Sequence, residues 1–153
     1  NPRPTGNGAS PALTIAAKVQ TSLRPLAASN PVQLKYLVMY GGETTVTLRG
    51  QGKGGRNQEF ALALALDINS MPGIAALSAG TDGTDGPTDA AGAVVDWTTC
   101  TRAEQHGLHP REALEHNDAY PFFERLGDLL ITGPTQTNVM DVRIILITAG
   151  MSL

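Results

Sequence analysis

Residues 44–68 read TTVTLRGQGKGGRNQEFALALALDI, and the fold turns on how the second half of that stretch is taken. Leu62, Leu64 and Leu66 alternate as they would along a strand. Ala and Leu are nevertheless strong helix formers, and no β-branched residue intervenes between Arg56 and Ile68. The stretch therefore predicts a helix over 57–68, buried on most sides, with Asn57 as N-cap and Glu59 complementing the dipole in the first turn. Upstream, TTVTL at 44–48 is rich in β-branched residues and predicts a strand. Between the two lies a loop with glycines at 50, 52, 54 and 55. Glycines at such a junction let backbone N–H groups converge where the helix N-terminus already attracts anions, phosphate above all.

Outward from this unit, the pattern predicts a helix at 13–23 stopped by Pro25 and Pro31, and a strand at 35–40. Further strands are predicted at 74–79, 91–95, 128–131 and 142–147, and helices at 98–106 and 119–126. Asp96 or Thr98 starts the first of these helices and Gly107 ends it; Asp118 caps the second and Gly127 closes it. Strands and helices mix without regular βαβ repetition, which predicts a layered α/β domain with a mixed β-sheet flanked by helices. Residues 1–34 read as a linker or helical arm and 35–153 as the domain proper.

The 153 residues fit one domain, and 41% hydrophobic residues argue against global disorder. A formal net charge of −3 without a long Lys/Arg block gives no support to a nucleic-acid surface. No apolar run approaches membrane-spanning length, so no membrane partner is expected. Cys100, the single cysteine, makes a buried thiol and a reducing, cytoplasmic compartment the expectation.

Two loops carry the chemistry. Arg56, at the predicted start of the helix, adds a bidentate guanidinium to the glycine loop, and Lys53 adds a second cation. Gly50, Gly52 and Gly55 fit G-x-G-x-x-G, whereas Lys53-Gly54 breaks the Walker pattern. A solvated connector is the alternative. The second loop, TDGTDGPTD at 81–89, places Asp82, Asp85 and Asp89 close together, as a metal site or general base needs, or simply as a run of Asx turns. Glu43 is positioned to orient Arg56, or else is an exposed turn residue. Thr132, Thr135, Thr137 and Asn138 form a polar loop able to bond phosphate oxygens or a substrate hydroxyl. His106, His109 and His116 surround a helix end, and Gly107 and Pro110 argue against a helical metal face.

Three long motifs, GGETTVTLRGQGKGGRNQEFALALAL, SAGTDGTDGPTDAAGAVVD and DAYPFFERLGDLLITGPTQTNVMD, together resemble the MOFRL domain. That is the carboxy-terminal domain of the type-2 glycerate kinases, some of whose members are labelled hydroxypyruvate reductase. The resemblance implies ATP-dependent phosphorylation of D-glycerate to 2-phosphoglycerate with Mg²⁺, in a cleft shared with an N-terminal α/β domain that supplies a lysine. Carried over by motif, Arg56 and Asp82 are the catalytic residues. Glu43, Gly52, Lys53, Gly54, Gly55, Asn57, Thr84, Thr135, Thr137 and Asn138 are expected to bind substrate or phosphate, and Asp82 and Asp85 to hold Mg²⁺. The family usually has glycine where Gln136 stands and asparagine where Met140 stands. A homodimer is compatible with this reading, and the isolated chain is expected to be inactive. The rival readings are an NAD(P)H-dependent hydroxypyruvate reductase and a non-catalytic domain that binds a phosphate ligand or a partner.

Overall fold

A computed structural model describes residues 34–42 and 50–148. The expected helix at 13–23, the strand at 44–48 and Glu43 lie outside the described residues. In chain order the elements are β1 (Leu34–Gly42), α1 (Arg56–Asp67), β2 (Ile74–Gly80), β3 (Gly92–Asp96), α2 (Thr99–Gln105), α3 (Pro110–Glu115), α4 (Ala119–Leu126), β4 (Leu129–Leu130) and β5 (Asp141–Thr148). The strands form one sheet in the order β1-β5-β2-β3-β4. The α/β layering is the expected one. Where a mixed sheet is expected from the sequence, every pairing among the described strands is antiparallel.

The helix at 56–67 resolves the alternation of its leucines as propensity predicts. Ala61, Leu62 and Ala65 are buried on one stripe, and Leu64 and Leu66 pack at its margin. That stripe meets the face of the sheet formed by Ala76, Ala93, Val95 and Leu129, where α4 adds Tyr120, Phe122 and Phe123. Phe122 and Phe123 themselves meet edge to face, ring centroids 5.1 Å apart. Within the sheet, Gly92 is required where β3 meets β2: a Cβ there would stand 1.9 Å from the Ser78 carbonyl oxygen on the neighbouring strand. Leu77, Ala79, Val94 and Leu130 form a second cluster, and strand alternation puts Leu77 and Ala79 on the sheet face opposite Ala76.

The differences from the sequence reading have local causes. The first helix starts one residue earlier than expected, with Gly55 as N-cap and no side-chain cap of its own, so Asn57 is not the cap. The helix α3 is one that the pattern does not predict; Pro110 opens it at a position where a missing N–H costs nothing. His106, His109 and His116 sit at helix boundaries, as a capping role requires. Gly127 takes the left-handed cap conformation at φ 72° after α4. Cys100 is buried, and burial pushes its thiol up from its ordinary value.

Candidate functional site

Strand β2 ends at Gly80, which pairs with Asp141 at the start of β5. At this end of the sheet the aspartate loop leaves, the threonine loop arrives and α1 begins. Asp141 is 2% exposed and organises the corner. Its two oxygens accept from Arg56 Nε at 2.8 Å and Arg56 Nη2 at 3.0 Å, a bidentate fork that fixes the plane of the guanidinium. Asn57 Nδ2 donates to it at 3.0 Å, and Arg143 Nη2 lies 3.9 Å away. Arg143 in turn stacks over the Phe60 ring, 4.2 Å from its centroid. Ser78 donates to Asn57 Oδ1 at 2.7 Å, so both ends of the buried Asn57 amide are used inside the protein. Asn57, expected at a ligand, therefore braces the wall behind Arg56. Asp141 is the residue that sequence reasoning missed; its one signal is that it closes the third motif.

Asp85 lies inside this wall rather than beside Asp82. It is 3% exposed, and its oxygens accept from the backbone N–H groups of Asn57 at 3.0 Å and Gln58 at 2.9 Å. It supplies the cap that α1 lacks locally, from 28 positions away. Burial raises its carboxyl above the ordinary value, against the lowering effect of those N–H groups. This corrects the expectation that Asp85 holds a metal. The same carboxylate occupies the N-terminus of α1, the place where a dinucleotide-binding turn seats its pyrophosphate.

Asp82 is half-buried and turned by its own loop: Oδ1 accepts from the N–H of Thr84 at 3.1 Å and from its hydroxyl at 3.3 Å, an Asx turn. Thr84 thus shapes Asp82 while remaining exposed. Asp82 Oδ2 has no partner among the described residues. One open carboxylate oxygen fits Mg²⁺, which binds through one or two carboxylates and keeps several waters. Among the described residues no group of three or more His, Cys, Asp or Glu side chains is arranged to hold a metal ion. Asp89 accepts from the Tyr120 hydroxyl at 2.7 Å, and that bond pushes the phenol up to about 12.

The threonine loop is stitched to the aspartate loop. Thr135 donates through its hydroxyl to the Thr81 carbonyl and through its N–H to the Asp82 carbonyl, the latter at 3.0 Å. Thr81 in turn donates to the Met140 carbonyl at 2.7 Å. Gly83, at φ 94°, lies so close beneath this loop that a Cβ would stand 2.1 Å from the Gly133 carbonyl oxygen. Thr137 and Asn138 are exposed on the rim. Gln136 and Met140 both take positive φ, 57° and 67°.

The glycine loop is bound from behind by the turn between α3 and α4. Gly50 N–H donates to Asn117 Oδ1 at 2.8 Å, Gly52 N–H to the His116 carbonyl at 3.0 Å, and Lys53 N–H to Asp118 Oδ1 at 2.9 Å. A Cβ on Gly50 or Gly52 would stand 2.1 Å or 2.6 Å from the His116 carbonyl oxygen, and one on Gly55 2.3 Å from the Asp85 carboxyl carbon. The glycines are thus demanded by backbone packing. The expectation that the 52–55 amides all converge on a ligand is corrected: Gly52 and Lys53 spend theirs internally, and only the Gly54 and Gly55 N–H groups have no backbone acceptor among the described residues. Lys53 rests over the Tyr120 ring, 3.8 Å from its centroid.

Residues 36–141 match the model of the MOFRL family. The chain belongs to the MOFRL family. A D-glycerate 2-kinase of Thermotoga maritima is 49% identical to it over 117 residues, which make up 76% of this chain and 28% of that protein. An Agrobacterium vitis relative, 48% identical over 119 residues, carries hydroxypyruvate reductase as a provisional name. Among solved structures, a Thermotoga maritima glycerate kinase superposes with a TM-score of 0.73 at 43% identity, over 88% of this chain and 32% of that one. This MOFRL chain therefore spans about a third or less of the length of these relatives. Its described residues contain no helix long and apolar enough to cross a membrane.

Proposed function

We propose that this chain is the C-terminal domain of a cytoplasmic, ATP-dependent glycerate 2-kinase, working in a cleft completed by an N-terminal α/β domain. The observation that carries the reading is the Arg56 guanidinium, held by both oxygens of buried Asp141 at the sheet corner from which Asp82 emerges. Phosphoryl transfer needs alignment and charge neutralisation more than covalent chemistry from the protein. A fixed guanidinium balances charge on the glycerate carboxylate or on the phosphoryl group in flight. The Gly54 and Gly55 amides and the rim residues Thr137 and Asn138 offer donors beside it. Asp82 Oδ2 accepts the proton of the 2-hydroxyl as that oxygen attacks the γ-phosphorus and the bond to ADP breaks. In the alternative role, Asp82 is a ligand of Mg²⁺, which supplies charge neutralisation on the phosphates when bound. The relatives named glycerate kinase support the substrate and the reaction class.

The provisional name of the Agrobacterium relatives keeps a reductase as the second reading. It needs a nicotinamide dinucleotide at the glycine loop, where Asp85 already fills the helix N-terminus. One coupled assay on the full-length protein separates the two. ADP formation from ATP and D-glycerate is the expected result. Oxidation of NADH or NADPH with hydroxypyruvate, without ADP formation, overturns the kinase.

A further inference from the structure

The buried carboxyl of Glu59, one turn into α1, is used by none of the steps above. It is 7% exposed, and its Oε1 is buried without a hydrogen-bond partner among the described residues. That oxygen lies directly beneath the glycine loop: a Cβ on Gly54 would stand 3.3 Å from it. The other oxygen accepts from Asn117 Nδ2 at 3.4 Å. Asn117 is 6% exposed and left-handed at φ 55°, a conformation that asparagine tolerates better than most residues. Its Oδ1 meanwhile receives the Gly50 N–H at 2.8 Å. A single amide thus spans from the helix acid to the start of the loop, and Gly54 rests on the same acid near the loop's end.

We propose that Glu59 and Asn117 are positioning residues that fix the curvature of the 50–55 loop, and with it the place of Arg56 and the Gly54 and Gly55 amides during transfer. The inference rests on the kinase reading. Three further bonds, from Gly52 N–H to the His116 carbonyl, from Lys53 N–H to Asp118 and from Tyr120 N–H to the Lys53 carbonyl, fasten the middle of the loop, while Asn117 holds its start and the Glu59 carboxyl lies against Gly54 near its end. A charge on Glu59 acts against an anion bound above it. Burial raises the Glu59 carboxyl to about 7, with Asp85 from the loop after β2 and Asp118 from the start of α4 adding to the rise. Among the described residues, the other charged or titratable groups around the loop are Lys53, over Tyr120, whose hydroxyl is tied to Asp89; His116, at the end of α3; and Arg56, paired with Asp141.

The test uses the full-length enzyme and two variants. Asn117→Gly keeps the left-handed backbone and removes only the amide. It is expected to raise the KM for D-glycerate or Mg·ATP about tenfold while kcat stays within about threefold. Amide exchange should quicken at 50–55 and not in β2. Glu59→Gln keeps an acceptor for Asn117 without the charge. It should retain a near-normal KM and lose the rise in KM that the wild type shows as pH goes from about 6 to about 8. Unchanged KM and unchanged loop exchange in Asn117→Gly overturn the proposal, as does a Glu59→Gln variant whose KM follows the wild-type pH course. If the wild type forms no ADP at all, the kinase reading fails, while loop exchange in Asn117→Gly still decides the positioning role.

Discussion

Asp141 is the residue on which most of the candidate site leans. Truncating it to alanine strips Arg56 and Asn57 of a shared acceptor and removes a carboxylate 3.9 Å from the buried Arg143. Breaking a buried ion pair by removing one member costs about 3–5 kcal/mol, and because Arg56 is partly exposed Asp141→Ala should lower the denaturation midpoint by an amount at the lower end of that range in denaturant titration. Asp141→Asn should cost less, because it keeps the shape and one acceptor. Glu59 makes a pH signature of opposite character to an ordinary paired carboxylate. Its carboxyl is raised from 4.5 to about 7, so below pH 4.5 it is neutral whether the chain is folded or not, and no penalty exists. As pH climbs from 4.5 towards 7 the unfolded chain ionises first, and stability falls by up to roughly 3 kcal/mol. Thermal unfolding of Glu59→Gln should lose most of that slope; the remainder comes from Asp85, which is shifted in the same direction. At Gln136, φ is 57° and the side chain is exposed. Gln136→Gly should therefore stabilise by roughly 1 kcal/mol in equilibrium unfolding, relief of the left-handed backbone exceeding the added chain entropy.

At the level of elements, α1 is capped from a distance, and its first turn should respond to a change 28 positions away. Removing the Asp85 carboxyl leaves the Asn57 and Gln58 N–H groups buried without an acceptor. Asp85→Ala should cost about 2 kcal/mol and speed amide exchange in the first turn of α1 before the rest of the helix responds. Elements with a strong local signal were legible: the Ala/Leu run of α1, the Gly127 stop of α4 and the apolar run of β2 all lie where propensity and turn chemistry put them. The short helix α3 was not, because six residues carry too little periodicity to stand out. In the site, Arg56 at the helix start and the turn at Asp82 could be read from the chain. Their supports could not. Asp85 as a cap, Asn57 as an internal brace and Asp141 as the guanidinium's seat all depend on contacts between residues 28 to 85 positions apart, which no local pattern encodes. The loop glycines illustrate the same limit: their spacing suggests a phosphate cradle, whereas Gly50, Gly52 and Gly55 are required where backbones touch.

At the scale of the molecule, the described residues form one antiparallel sheet with helices packed on one face, and the aspartate loop, the threonine loop and the start of α1 meet at one end of it. That arrangement supplies what the proposed site needs as one wall: a fixed guanidinium, an open carboxylate oxygen and a rim of exposed threonine and asparagine. The relatives extend well beyond the length matched here, which agrees with a second wall contributed by further sequence. The measurement that bears most directly on this reading is kcat/KM for ADP formation from ATP and D-glycerate by the full-length enzyme, wild type against Arg56→Lys. Lysine keeps the charge and loses the fork that Asp141 holds, so the variant should fall by about 10²–10³, the loss that follows removal of one aligned electrostatic group. A variant that keeps near wild-type kcat/KM would show that Arg56 only braces the fold and that the transfer chemistry lies elsewhere.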